Sequence, residues 1–403
     1  MTKTLLMIGG GELQLPVLRW AKEAGLRVVL TDRRPEAPGR ELADEFRPLA
    51  GDDLAGQVEL ATELAARGPF AGAYCGNDFG LAAVAAVAAA TGTPGPTPEA
   101  VRASLDKARS TGLWRAAGLS TTEGRTVGDA AEAEAARRDL GGDVIVKPTD
   151  SSGSRGVSTV RAAEETPAAF EEARRFSDTV VVERRVEGLH LDVNGFFRDG
   201  AFVPAGLLER HFDPRGTNVP VYGTQPAGLT GAEAGRIYRL VEEGARQLGI
   251  DTGPVKADLV LGAEGPVMYE LAPRFHGDVS TSHVSPLVYG KSPVQAWFAH
   301  LAEAGGPFDE MPLVPLAVGG WAALLADETG ELEAVEGRER ARRLPGIEQV
   351  FTRRPGFQVV STEDNRAVCG FVWARGRSRE EVEARLERAK ETLEVRMTWQ
   401  RVA

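Results

Sequence analysis

The stretch Thr252–His283 reads TGPVKADLVLGAEGPVMYELAPRFHGDVSTSH, and its reading decides the fold. Two apolar runs, Val255–Leu261 and Pro266–Leu271, flank Gly262-Ala263-Glu264-Gly265. Alternating apolar residues around a glycine-bracketed turn predict a hairpin. Asp258 lies in the first run and Glu270 near the end of the second, 270 − 258 = 12 positions on. The turn folds the two strands back on each other, so both carboxylates can point to one face and share a hard cation such as Mg²⁺. Arg274 follows four residues later, placed to take a negative group held by that cation. Two exposed acids near a hairpin is the competing reading of the same residues.

The chain has 403 residues, enough for two or three domains with sizeable cores. Its formal net charge is −11 with no basic block, which argues against nucleic acid as a partner but not against a nucleotide. Cys75 and Cys369 are the only cysteines and have no metal-type spacing, so free thiols in a reducing cytoplasm are expected. No secretory signal is visible, and the longest small-apolar run, Leu81–Ala90, is too short to span a bilayer.

Upstream, Thr4–Ile8 reads as a buried strand, Gly9-Gly10-Gly11 as a turn, Leu13–Ala24 as a helix and Arg27–Leu30 as the next strand. Right-handed parallel pairing follows. The glycines resemble a dinucleotide fingerprint only in part. Position 14 is Gln14 where close helix–strand packing requires glycine, which argues against nicotinamide or flavin binding. Thr91–Pro98, TGTPGPTP, marks a first domain boundary. Lys147 ends an apolar strand at VIVKP, Glu183 ends another at TVVVE, and Asp106-Lys107 begins a helix. Between the strands, Thr149–Gly156 (TDSSGSRG) offers amides and hydroxyls that can wrap phosphates, although it lacks the Walker order. His211–Gly228 reads as a long, functional or mobile loop, and Lys291–Ala304 as a helix.

Taken in order, Lys107, Lys147, the Gly/Ser loop, Glu183, Asp258, Glu270 and Arg274 resemble the ATP-grasp superfamily. The pattern is Asp-Lys, then VKP…GSRGV, then a strand ending VVE, then D-x₁₁-E-L-A-P-R, and it is specific when all parts co-occur. The resemblance covers roughly Met1 to Ala304 and is nearest to the biotin-carboxylase-like members, including L-amino acid ligases and the aminoimidazole ribonucleotide carboxylating synthetases. It implies a mixed α/β and α+β fold. Residues 1–95 would be a doubly wound pre-grasp domain, 96–305 the ATP-grasp domain with a mobile lid subdomain at about 118–183, and 306–403 a C-terminal α/β lid domain.

The resemblance also implies ATP and Mg²⁺ as cofactors. Lys107 and Lys147 would bind phosphate oxygens, and Ser152, Gly153, Ser154 and Gly156 would close over them. Glu183, with the backbone at Arg185-Val186, would hold the adenine amino edge. His190 stands where many relatives carry a glutamate near the ribose. Asp258 and Glu270 would carry Mg²⁺, with Ala272 where relatives often have a third ligand, asparagine. Arg274, Lys147 and His276 would be catalytic, with His276 or His283 orienting or deprotonating an amine. The implied reaction is ATP-dependent joining of a small carboxylate to an amine through an acyl phosphate, with amino acids as the expected substrates. Carboxylation through carboxyphosphate is the alternative, although FHGDVSTSH after Arg274 departs from the run those synthetases carry. A cytoplasmic homodimer with no membrane or nucleic-acid partner completes the expectation.

Overall fold

The structure, a computed structural model, describes residues 2–277, 279–303 and 310–398. The opening β/α alternation builds a parallel sheet from β1 (Thr4–Ile8), β2 (Arg27–Asp32), β3 (Glu45–Pro48) and β4 (Phe70–Tyr74), in the order β3-β2-β1-β4. β1 and the middle of β2 are apolar along their length because both faces are covered, whereas β3 at the edge is charged and partly exposed. Leu5 and Met7 pack with Val17, Leu18 and Ala21 of helix Leu15–Glu23. Leu6 and Ile8 face Leu60 and Leu64 of helix Leu54–Arg67 and Val84 and Val87 of helix Leu81–Thr91. The strand order reverses between β1 and β4, and Asp78 lies just past the carboxyl end of β4, where ligands of open α/β sheets bind.

A second, antiparallel sheet holds β5 (Gly124–Val127), β6 (Val144–Pro148), β7 (Ser158–Val160) and β8 (Val180–Arg184), in the order β5-β8-β6-β7. Helices Ala130–Leu140 and Thr166–Arg174 share a core with Val144, Val146 and Val182. Strand alternation puts Lys147 and Glu183 on the opposite face.

The third sheet contains the opening hairpin. It is built from β9 (Leu189–Arg198), β10 (Ala201–Phe212), β11 (Pro220–Gln225), β12 (Gly253–Gly262) and β13 (Gly265–Ala272), then continues into the last quarter of the chain. There β14 (Val318–Leu325), β15 (Gly330–Glu336), β16 (Ile347–Thr352), β17 (Gln358–Val359), β18 (Val368–Gly376) and β19 (Glu394–Thr398) follow. The large sheet runs β13-β12-β9-β10-β11-β14-β18-β16, while β17-β15-β19 form a small sheet beside it. Helix Gly231–Gln247 buries Ile237, Leu240 and Val241 against Leu191, Val193, Val255, Ala257 and Leu259 on one face of the large sheet.

Two expected elements are corrected. His211–Gly228 is not one long loop: β10 runs to Phe212, β11 occupies Pro220–Gln225, and only 213–219 turn between them. β11 pairs locally with β10, where His211 lies opposite Tyr222, and non-locally with β14, where Tyr222 lies opposite Ala322. Its glycine has a packing reason, since a Cβ on Gly223 would lie 2.5 Å from Trp321 Nε1. The helix expected at Lys291–Ala304 is preceded by a separate one, Ser285–Tyr289, ended by left-handed Gly290, and itself spans Pro293–Leu301 with Ser292 as its cap. Ala304 and the expected boundary at 305/306 lie outside the described residues.

Candidate active site

The face of the large sheet opposite helix Gly231–Gln247 is polar. Alternation along β12 sends Val255, Ala257 and Leu259 into the core and Lys256 and Asp258 to the other side. Alternation along β9 does the same with His190, Asp192 and Asn194. In register, Asp258 lies beside Asp192 on one flank and Glu270 on the other. Like charges directly opposite one another destabilise a sheet, so this row requires cations. Arg210 of β10 supplies one: its Nε lies 2.9 Å from Asp192 Oδ1, and its Nη2 donates to Asp258 Oδ1 at 2.6 Å and to the Tyr269 hydroxyl at 3.2 Å. Lys256 supplies another, donating from Nζ to Asp258 Oδ2 at 2.5 Å and to Glu270 Oε1.

His276 Nε2 lies 2.9 Å from Asp258 Oδ1, and Asn194 Oδ1 accepts from its backbone N–H at 2.8 Å while lying 3.3 Å from Nδ1. Both ring nitrogens are therefore engaged within the protein. His276 thereby ties β9 to β12 through Asn194 and Asp258. Burial pushes the Asp258 carboxyl upward, but Lys256, Arg210 and His276 hold it well below the usual range. For Glu270, burial is likewise outweighed by Lys256 and Lys107, and the carboxyl is lowered. Burial would discharge Lys256, yet Asp258 and Glu270 raise its pKa.

The remaining expected residues arrive from other elements. Asp106 caps helix Lys107–Ala116 by accepting from Arg109 N–H at 3.0 Å, which fixes Lys107 at the first turn. Lys107 Nζ donates to Ser151 O at 2.6 Å and lies 4.0 Å from Glu270 Oε2. Burial, aided by the charges of Lys147 and Lys256, lowers its pKa. Lys147 is buried 2.7 Å from Glu183 Oε2, with its ammonium 5.7 Å from the Tyr269 ring centroid. Glu183 Oε1 is buried without a partner, an acceptor suited to an exocyclic amine. Lys107, Lys147 and Lys256 thus converge from three elements.

Arg274 is occupied by a residue that follows β4 of the parallel sheet. Its Nε and Nη2 donate to Asp78 Oδ1 and Oδ2 at 2.6 and 2.9 Å, a two-point pairing. Burial alone would raise the Asp78 carboxyl, but the charge and hydrogen bonds of Arg274 bring it down to about 2.

In the Gly/Ser loop, Gly153, Ser154 and Gly156 all have positive φ. At Gly156 a Cβ would lie 2.7 Å from Phe176, so that turn requires glycine. The Ser154 hydroxyl donates to Asn218 O at 2.7 Å, and Gly153 O accepts from Asn365 N–H at 3.2 Å. The loop is therefore held between the β10–β11 turn and the C-terminal region. Ser152 is tied locally, its carbonyl accepting from Arg155 Nε at 3.0 Å. The Arg185 N–H bonds Asp143 O at 2.9 Å and its guanidinium pairs with Glu187. Val186 packs beside Gly262, at the β12–β13 turn. Burial and Arg210 push His190 down to about 4, leaving a neutral ring set edge-on to Phe212.

Comparison with known proteins follows this geometry. Residues 140–282 match the family model for the ATP-grasp domain, and 322–398 match L-amino acid ligase C-terminal domain 2. Residues 140–282 thus form an ATP-grasp domain. Over 308 residues the chain is 28% identical to an uncharacterized protein of Sinorhizobium fredii, covering 75% of this chain but 63% of that relative. It is 26% identical to a formate-dependent phosphoribosylglycinamide formyltransferase of Synechococcus sp., covering 98% and 97% of the two chains. An L-amino acid ligase from Bacillus licheniformis shares the fold, with TM-score 0.82, 19% identity and 99% of both chains covered. Among the described residues, no helix of this ATP-grasp protein is long and apolar enough to cross a membrane.

The donor set fits a magnesium nucleotide. Glu270 presents hard oxygen, and among the described residues its Oε2 is paired only with Lys107, at 4.0 Å. The partnerless Glu183 Oε1 offers an acceptor for an amino group. Reading the sequence missed Lys256, Arg210, Asp192, Asn194 and the Asp78 partner of Arg274. Lys256, Asp192 and Asn194 had a signal, since polar residues at every second position within LHLDVNGFF and VKADLVL mark one polar strand face. The Asp78–Arg274 pair joins residues 196 positions apart, and local pattern does not reveal it.

Proposed function

We propose that this protein is an ATP-dependent ligase that activates a small carboxylate as an acyl phosphate and joins it to an amine, with L-amino acids as substrates. The observation that carries the reading is the convergence of Lys107, Lys147 and Lys256 beside Glu270. Buried ammoniums facing one site, with the charges of Lys147 and Lys256 adding to burial in lowering the pKa of Lys107, suit a polyanion better than surface lysines do. The match of 322–398 to an L-amino acid ligase domain supports the substrate class.

Lys107 and Lys147 would hold the terminal phosphates, the 152–156 loop would cover them, and Glu183 would take the base. Asp258 and Glu270 form the acidic end of the site, where Mg²⁺ would neutralise phosphate charge. A carboxylate oxygen attacks the γ-phosphorus, the bond to the bridging oxygen breaks, and ADP leaves. The amine nitrogen then attacks the acyl carbon, the carbon–oxygen bond to phosphate breaks, and phosphate and a proton are released. Lysine and arginine charge supplies most of the stabilisation in such steps. Next to Asp78, Phe79 lines a cavity of about 220 Å³ with Gly9, Asp32, Arg33, Gly51 and Asp52, suited to one small substrate. We place the divisions at 1–95, 96–305 and 306–403, with 118–183 as the lid.

The test is a matrix of amino acids assayed for phosphate release with ATP and Mg²⁺, with mass spectrometry of the product. ADP, phosphate and a dipeptide are expected. AMP and diphosphate would place the enzyme in an adenylating class.

A further inference from the structure

We infer that Lys256 is a tethered cation standing where a metal ion would bridge Asp258 and Glu270, so that the nucleotide-bound metal is taken by Glu270 without Asp258. The inference rests on the ligase reading and concerns how that site divides its charges. Lys256 and Asp258 are two positions apart on β12 and so share a face, and Glu270 lies directly opposite Asp258 on β13. The ammonium is buried and bonded to both carboxylates, at 2.5 Å from Asp258 Oδ2 and still closer to Glu270 Oε1. A magnesium ion bridging those oxygens needs contacts of about 2.0–2.1 Å from each, in the space the ammonium fills. Two cations cannot share it.

Both oxygens of Asp258 are already engaged by cationic or ring-nitrogen partners. Oδ2 is held by Lys256, and Oδ1 accepts from Arg210 and lies against His276 Nε2. Glu270 is different, because Oε1 is held while, among the described residues, Oε2 is paired only with Lys107 Nζ, at 4.0 Å. Its side chain is 28% exposed, against 6% for Asp258. The charges agree with this division. Asp78, Asp192, Asp258 and Glu270 are matched by Lys107, Arg210, Lys256 and Arg274. The site is thus balanced before a metal nucleotide enters, and Lys256 neutralises part of the acidic pair permanently.

The experiment counts bound Mn²⁺, used as the probe for Mg²⁺, by electron paramagnetic resonance on the full chain. Without nucleotide, Lys256→Gln should bind Mn²⁺ at least about tenfold more tightly than wild type, because the freed carboxylates then share it, whereas Lys256→Arg should behave as wild type. With a non-hydrolysable ATP analogue, Asp258→Asn should hold Mn²⁺ within about threefold of wild type, and Glu270→Gln should weaken it by about thirtyfold or more. The second comparison decides the matter if Lys256→Gln does not fold. Equal Mn²⁺ affinity of wild type and Lys256→Gln overturns the inference. So does a loss in Asp258→Asn as large as in Glu270→Gln, and in both cases the ligase reading stands. Wild type that binds neither the analogue nor Mn²⁺ with it removes the ligase reading itself.

Discussion

Replacing Asp78 with asparagine should loosen the first domain from the rest of the chain. The substitution preserves shape and removes one charge from a pair whose side chains are 23% and 11% exposed. The Asp78 carboxyl falls from 3.8 to about 2 in the fold, where the pairing with Arg274 outweighs burial. At about 1.4 kcal/mol per pH unit, that makes the charged form about 2.5 kcal/mol more favourable folded than unfolded. Stranding a buried partner costs about 3–5 kcal/mol in general. Arg274 keeps its Nη1 bond to Phe275 O at 3.0 Å, which favours the lower end. The expected loss is about 3 kcal/mol at pH 7, read from urea unfolding by tryptophan fluorescence and circular dichroism. A cycle with Arg274→Gln and the double variant should show a coupling of about 1.5 kcal/mol or more. The folded pKa is depressed, so the contribution is complete above 3.8 and lost as pH falls from there through about 2. The penalty should therefore be flat from about pH 5 to 8. A loss below about 0.5 kcal/mol, or no coupling, would refute the pair as a domain tie.

Glu270→Gln should lower ADP release by about 100–1000-fold, since one lost transition-state charge contact is worth about 3–4 kcal/mol, while nucleotide still binds through Lys107 and Lys147. Near-normal turnover at saturating Mg²⁺ would remove Glu270 from the metal site. His190 is pushed down to about 4 by burial and then Arg210, so the unfolded chain binds its proton first as pH falls. Wild type should accordingly lose stability between the ordinary value of 6.5 and about 4. His190→Asn should remove about 2 kcal/mol of that loss at pH 5, measured by urea unfolding across pH. Lys147→Met leaves Glu183 buried and uncompensated, so amides of β6 and β8 should lose hydrogen-exchange protection worth about 3 kcal/mol. Unchanged protection there would show that Lys147 is not needed to hold Glu183.

Much of the fold was legible because its signals are local. The Gly262–Gly265 turn and the alternation around it predicted β12 and β13, and continuous apolar runs predicted β1 and β2. The family resemblance rested on the spacing from Lys107 to Arg274, and the structure brings Lys107, Lys147, Asp258 and Glu270 onto one face. Non-local facts were hidden. β11 was read as loop because Pro220 and Gly223 suppress strand propensity, while part of its pairing comes from β14 about a hundred residues on. The partners of His276 and Arg274, which are Asp258, Asn194 and Asp78, come from other elements and were not legible. Charge pairing across strands depends on register, which side-chain identity alone does not fix.

The large sheet passes without interruption from β11 to β14. This makes the last quarter of the chain a covering as well as a domain. A chain stopped before Val318 would leave the outward backbone N–H and C=O groups of Pro220–Gln225 unmet, a flat edge able to recruit another copy. Folding of the grasp would then compete with association, at concentrations where the whole protein stays dispersed. Recombination between relatives that cuts the chain near residue 306 must therefore carry over a matching strand as well as a binding surface. The seam has to agree in twist and register with Tyr222 and Thr224 before any chemistry can be inherited across it.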